Sequence, residues 1–223
     1  MKNITFLAVA LLFSQLIVFG QDTPKVVVFN SPQTAPQAIT ESNVIKFGAL
    51  AAVSGDFSFY YERIIDQKFG LELGLGVTLS DYVSSLLNDN IDVFNDNYIP
   101  RLGNAFSIGG KYFPDSSIED FYFGLDFKHK TYNNDRKFNS SAVTYQEKRS
   151  VNAVRLSFGY NYFIDRKIIL DFFGGFGIGS ISQTSVAEEL VFEGNTSYID
   201  YVTRNESRLA PRVHIGFKIG VVF

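Results

Sequence analysis

The chain has 223 residues, a formal net charge of -3, 16% aromatic residues, two histidines and no cysteine. The missing cysteine excludes disulfides, thiol catalysis, cysteine metal sites and a lipid-modified mature N-terminus. The mild acidity argues against a nucleic-acid partner, and the length suits one domain.

The chain opens with Lys2, an apolar run from Ile4 to Phe19, Gly20, and then polar Gln21, Asp22, Thr23 and Pro24. This reads as a secretory signal peptide over residues 1–20, with Val18 and Gly20 at the minus-three and minus-one positions of a cut before Gln21. An uncleaved anchor is the alternative, but it needs about twenty apolar residues with flanking anchors. Cleavage leaves 19 basic against 23 acidic residues. Residues 21–42 are rich in Pro, Thr, Gln and Ser and are expected to form a periplasmic N-terminal linker; the apolar patch Val26 to Phe29 is read as a short strand or lid.

From residue 43 to residue 223 the chain repeats one theme, bulky apolar residues alternating with Gly, Ser or charge. Eight runs follow: Asn43 to Val53, Phe57 to Ile65, Phe69 to Ser80, Asn104 to Phe113, Phe121 to Thr131, Val151 to Ile164, Ile168 to Ser182 and Ala210 to Phe223. Most reach the roughly 9–11 residues that a tilted strand needs to cross a bilayer. The connections alternate too. Asp66-Gln67-Lys68, Pro114 to Asp120 and Asp165-Arg166-Lys167 are short, whereas Asp81 to Gly103, Tyr132 to Ser150 and Gln183 to Leu209 are long; Ser54-Gly55-Asp56 is a tight exception on the long side. Outer-membrane barrels place tight turns on the periplasmic side and long loops outside. The expected fold is therefore all-β, an eight-stranded antiparallel up-and-down transmembrane β-barrel with both termini in the periplasm.

The faces separate cleanly. Val213, Ile215, Phe217, Ile219, Val221 and Phe223 oppose Arg212, His214, Gly216, Lys218 and Gly220, and the same split recurs from Phe69 to Leu79. A soluble lipocalin-like barrel also alternates, but its polar face meets water and is dressed in Lys, Glu, Thr and Gln. Here the polar face is mostly Gly and Ser with single charges, which suits the cramped lumen of eight strands. Tyr61, Tyr112, Tyr162 and Phe223 at strand ends suit interfacial aromatic girdles.

The stretch SGDFSFYYERIIDQKFGLELGLGVT from Ser54 to Thr78 resembles the outer-membrane β-barrel domain family common in Bacteroidota. So do GGKYFPD at Gly109 to Asp115, FYFGLDF at Phe121 to Phe127 and VHIGFKIGVVF at Val213 to Phe223, and the size is similar to small barrels of the OmpX and OmpA type. The resemblance implies a bacterial outer-membrane address. It also implies an assembly signal read by the barrel-assembly machinery, carried by Phe217, Ile219, Val221 and Phe223. It implies no particular activity, because one barrel fold hosts many roles.

Lys46, Glu62, Glu72, Lys111, Asp126, Lys128, Arg155, Asp171, Arg212 and Lys218 are expected to face inward. Charges in a narrow lumen are costly unless paired, so Glu62 and Glu72 should find bases among Lys46, Lys111, Arg155 and Lys218. The reading is a salt-bridge plug, with an ion or proton conduit as its alternative. His129 and His214 have no evident triad or metal partners in sequence. Gly174, Gly175, Gly177 and Gly179 look like a phosphate loop, yet no helix follows. Asn88, Asp89, Asn90, Asp92, Asn95, Asp96 and Asn97 offer oxygen ligands without EF-hand spacing, so a solvated loop or a divalent site bridging lipopolysaccharide phosphates are the readings.

No catalytic residue and no cofactor are expected. The leading functional reading is a non-enzymatic barrel, in contact with outer-membrane lipid and lipopolysaccharide, that anchors surface loops for structural, adhesive or partner-binding roles. A narrow pore or a conduit for small apolar molecules is the first alternative, and a membrane-embedded lipid enzyme is the second.

Overall fold

A computed structural model describes residues 43–82, 97–115, 117–138, 143–165 and 167–223. The expected signal peptide and linker lie outside these residues, as does the Asn/Asp-rich loop apart from Asn97. The alternating runs form nine strands and one short helix. In chain order these are β1 (Asn43–Phe47), α1 (Ala49–Val53), β2 (Asp56–Ile65), β3 (Phe69–Thr78), β4 (Tyr98–Arg101), β5 (Gly103–Tyr112), β6 (Phe121–Lys137), β7 (Thr144–Ile164), β8 (Ile168–Glu193) and β9 (Thr196–Val222).

Eight of the strands close a ring in the order β1-β2-β3-β5-β6-β7-β8-β9, and β9 returns to β1. Every pairing is antiparallel. This is the eight-stranded up-and-down barrel read from the alternation. The ninth strand, β4, continues the line of β5 along the extended part of β6, with Tyr98 opposite Arg136. Tight turns form where expected. Asp66, Gln67 and Asp165 adopt positive φ of 51°, 58° and 51°, the backbone twist that short hairpins between right-twisted strands require.

Two expectations are corrected. The run Asn43 to Val53 is not one strand: β1 ends at Phe47, and residues 49–53 turn into α1. The Gly48 amide donates to the Ser58 carbonyl and ends the pairing with β2, after which Ala49, Leu50, Ala51 and Ala52 are good helix formers. The segments Tyr132 to Ser150 and Gln183 to Leu209 are not irregular loops either. β6 and β7 pair out to Lys137 opposite Thr144, and β8 and β9 pair out to Glu193 opposite Thr196. Gly194 at the first loop position has φ 61°, as a two-residue hairpin with glycine there demands. Ser185–Glu193 and their partners form a two-stranded ribbon roughly 30 Å long past the last β7–β8 pair, Lys148 opposite Thr184, at about 3.3 Å per residue.

The outward face is apolar around the ring, with polar side chains such as Arg63 and Asn43 at the tight-turn end and His129 and Asn152 toward the other. Val213 is 83% exposed, Ile215 73% and Leu75 73%, and rings pair along this face, as Phe69 with Tyr112 at 5.5 Å and Phe121 with Tyr160 at 5.5 Å. Inside, Val44, Ile64, Phe113, Ile118, Tyr122, Phe163 and Ile169 pack into an apolar floor at the end that carries the tight turns. Phe113 and Ile118 come from the β5–β6 connection, which folds across that mouth.

Candidate functional site in the barrel lumen

Strand alternation sends every second side chain into the lumen, and all ten charges expected there arrive. Two clusters result. The lower one sits on the apolar floor. Glu62 and Glu72 are directly opposite one another on β2 and β3, an arrangement that repels unless cations intervene. Lys46 bridges to Glu62 and, at 2.8 Å, to Asp171. Lys111 lies 3.2 Å from Glu62, 3.3 Å from Glu72 and 2.8 Å from Asp171, and Lys218 donates to Glu72 at 2.5 Å. The Tyr122 hydroxyl donates to Asp171 at 2.6 Å. Three ammonium groups thus balance three carboxylates, at positions where the close oxygens of Glu62, Glu72 and Asp171 would otherwise suit a divalent ion.

Lys46, Lys111 and Lys218 are the bases that Glu62 and Glu72 were expected to find; Arg155 is not among them. It sits opposite Asp126 in the register and binds it through Nε and Nη2 at 2.9 and 2.5 Å. This pair belongs to an upper cluster that sequence reading only partly saw. Asp56, fully buried, accepts Lys128 at 2.6 Å and Lys130 at 2.7 Å, and Ser58 donates to it as well. Its place in the tight Ser54-Gly55-Asp56 connection hid its inward orientation, and the parity of Asp56 with Ser58 and Tyr60 was the available signal.

Aromatic rings cross the lumen where the wall is glycine. A Cβ on Gly159 would collide with the Tyr122 ring, and one on Gly216 with the Phe173 ring. Lys111 lies 4.3 Å from the Tyr122 centroid and Lys218 4.0 Å from that of Tyr60, contacts that stabilise desolvated cations. Gly159→Val is therefore expected to destabilise the barrel by about 1–3 kcal/mol through overpacking, read as an earlier urea midpoint; an unchanged midpoint counts against this ring placement.

Ser157 and His214 meet at 2.9 Å, because the residue between them in the row, Gly175 of β8, has no side chain. The pairing was not visible in sequence, since it spans two neighbouring registers. A hydrolase needs a third group on the other imidazole nitrogen, and His214 Nδ1 is buried without a hydrogen-bond partner among the described residues. His129 lies on the outward face, bonded through Nδ1 to Asn152 at 2.6 Å. The glycines of the apparent phosphate loop, Gly174, Gly175, Gly177 and Gly179, lie within β8. Phe217, Ile219, Val221 and Phe223 lie on the outer face, Phe217 stacked on Phe172 at 4.6 Å.

No protein-family profile matches the chain, and no curated protein does. Among solved structures, the chain is similar to a major outer membrane protein from Thermus thermophilus, at 12% identity and a TM-score of 0.39, over 82% of this chain and 98% of that one. The architecture described above rests on this chain's own strand pairing.

Proposed function

We propose that this protein is a non-enzymatic barrel of the bacterial outer membrane whose role is to hold a stiff β-ribbon away from the cell surface for contact with a partner. The observation that carries this reading is the apolar belt on the exterior of the ring combined with the long β8–β9 hairpin. Soluble monomers rarely expose contiguous apolar patches beyond a few hundred Å², and a hydrocarbon environment is what a closed ring with apolar residues outside suits. An even strand number and tight turns at the floor end support a periplasmic side for both termini.

The ribbon is braced at its root. Phe138, Tyr145 and Tyr201 stack with centroids 4.8–5.6 Å apart, and Glu147 accepts from the Val186 amide at 3.1 Å and from Arg136 at 3.3 Å. From the base of the ribbon, opposite Ser185, Arg204 reaches toward the tip and donates to Glu189 at 2.5 Å, and this bond raises the guanidinium pKa. Leu190, Phe192, Tyr198 and Ile199 stand exposed there beside Glu188, Glu193 and Asp200, so the tip suits a partner with apolar and basic groups. A structural anchoring role is supported by the neutralised lower cluster and apolar floor, which fill the periplasmic end of the lumen.

The test is cell fractionation with protease treatment of intact cells. The protein should sediment with the outer membrane, run faster on gels when unheated, and lose only the ribbon to external protease. Recovery in the soluble fraction without a heat shift, or a ribbon protected until cells are lysed, overturns the reading.

A further inference from the structure

The ring is hydrogen-bonded all the way round only in its lower part. β1 meets β9 from Val44 opposite Val222 to Phe47 opposite Ile219. Above that level α1 stands between β2 and β9, and among the described residues no main-chain hydrogen bond links α1 to β9. A strand edge left unpaired at membrane depth costs several kcal/mol for each orphaned group, unless it borders protein or a watered cavity.

It does border a cavity. A space of about 400 Å³ is lined by Arg212 and His214 from the inner face of β9 and by Val213, Ile215 and Phe217 from its outer face. One cavity touches both faces of a strand only where the wall is breached. Leu50 and Val53 of α1 form the other lip, and both are exposed on the apolar exterior. The size falls within the roughly 300–1,000 Å³ typical of ligand sites. Below it the floor is shut by the apolar cluster around Phe113 and Ile118.

The chemistry changes across the breach. Its outer lip is apolar, whereas the inner part holds Lys128, Lys130, Arg155 and Arg212 against the carboxylates of Asp56 and Asp126, and the one further carboxylate lining the cavity, Asp81, is held by Arg149 at 2.8 Å. Arg212 makes no ion pair among the described residues. An excess of positive charge in a partly enclosed pocket calls for an anion, and an apolar slot open to lipid calls for a hydrocarbon tail. We propose that the barrel binds a membrane-derived single-chain amphiphile with an anionic head, a long-chain fatty acid, its carboxylate held by Arg212 and Lys130 and its chain leaving between α1 and β9. The site rests on the membrane reading above and goes beyond it, since surface anchoring needs no ligand.

The experiment places the purified full chain in phosphatidylcholine nanodiscs and labels it with oleate bearing a photoreactive diazirine in the chain. Labelling should concentrate at Leu50, Val213 and Ile215 and be displaced by unlabelled oleate, with oleyl alcohol at least about tenfold weaker for want of a charge-assisted hydrogen bond. Acetate should not compete. Arg212→Gln should lower labelling at these positions by a similar factor of about ten, and Ala51→Trp, which narrows the slot and leaves the cations in place, should lower it as well. Even labelling around the belt, at Leu73 and Leu125 as strongly as at Ile215, overturns the site, as does equal competition by oleyl alcohol or undiminished labelling of both variants. Failure of the wild-type chain to enter nanodiscs overturns the membrane reading and the site together, whereas insertion with even labelling overturns the site alone.

Discussion

Glu62→Gln is expected to destabilise the folded barrel by about 3–5 kcal/mol, and Lys46→Met by a similar amount, because each leaves its partner charged in a dry site. Glu62 is fully buried, and Lys46 is 1% exposed. The double variant removes one cation and one carboxylate together. It leaves Lys111 and Lys218 to balance Glu72 and Asp171, already within ion-pair reach, so its cost should fall well below the sum of the singles. Urea unfolding followed by the gel shift gives all four corners of the cycle. Simple additivity would mean that the two side chains do not share a site, and that the lower lumen is hydrated.

Phe217→Lys should be as severe, for a different reason. The side chain is directed to the exterior and stacks on Phe172, so a lysine there meets hydrocarbon, at about 2–4 kcal/mol near the bilayer midplane. Assembled protein recovered from membranes should fall sharply, while His214→Asn, on the same strand but facing the lumen, should assemble normally. Equal yields of the two variants would mean that the faces of β9 are exchanged.

The ring and its two faces were legible from sequence because period-two alternation is a local signal, unbroken from Arg212 to Phe223. The lumen charges followed from parity alone. What did not follow were features decided by neighbours. Ala49 to Val53 is an apolar run of five, too short for periodicity to separate helix from strand, and α1 is settled by the end of β1 pairing at Gly48. The Ser157–His214 contact and the sharing of Asp171 by Lys46 and Lys111 need the registers of several strands at once. The ribbon was misread for a local reason. Its turn, Gly194-Asn195, is a recognised hairpin pair, but the polar residues on both sides of it looked like loop because, past Val186, neither face of the ribbon is buried.

The β1–β9 seam also sets an order of opening. It joins the two ends of the described chain through Asn43–Phe47 alone, whereas β8 and β9 are zipped from Ile168 to Glu193. Local opening takes the path of fewest cooperative bonds, so amide protons of Ile45 and Phe47 should exchange with solvent deuterium well before those of β7 and β8. The same clasp is the natural last step of closure during insertion, with the remaining staves already joined as a curved sheet waiting for its first strand.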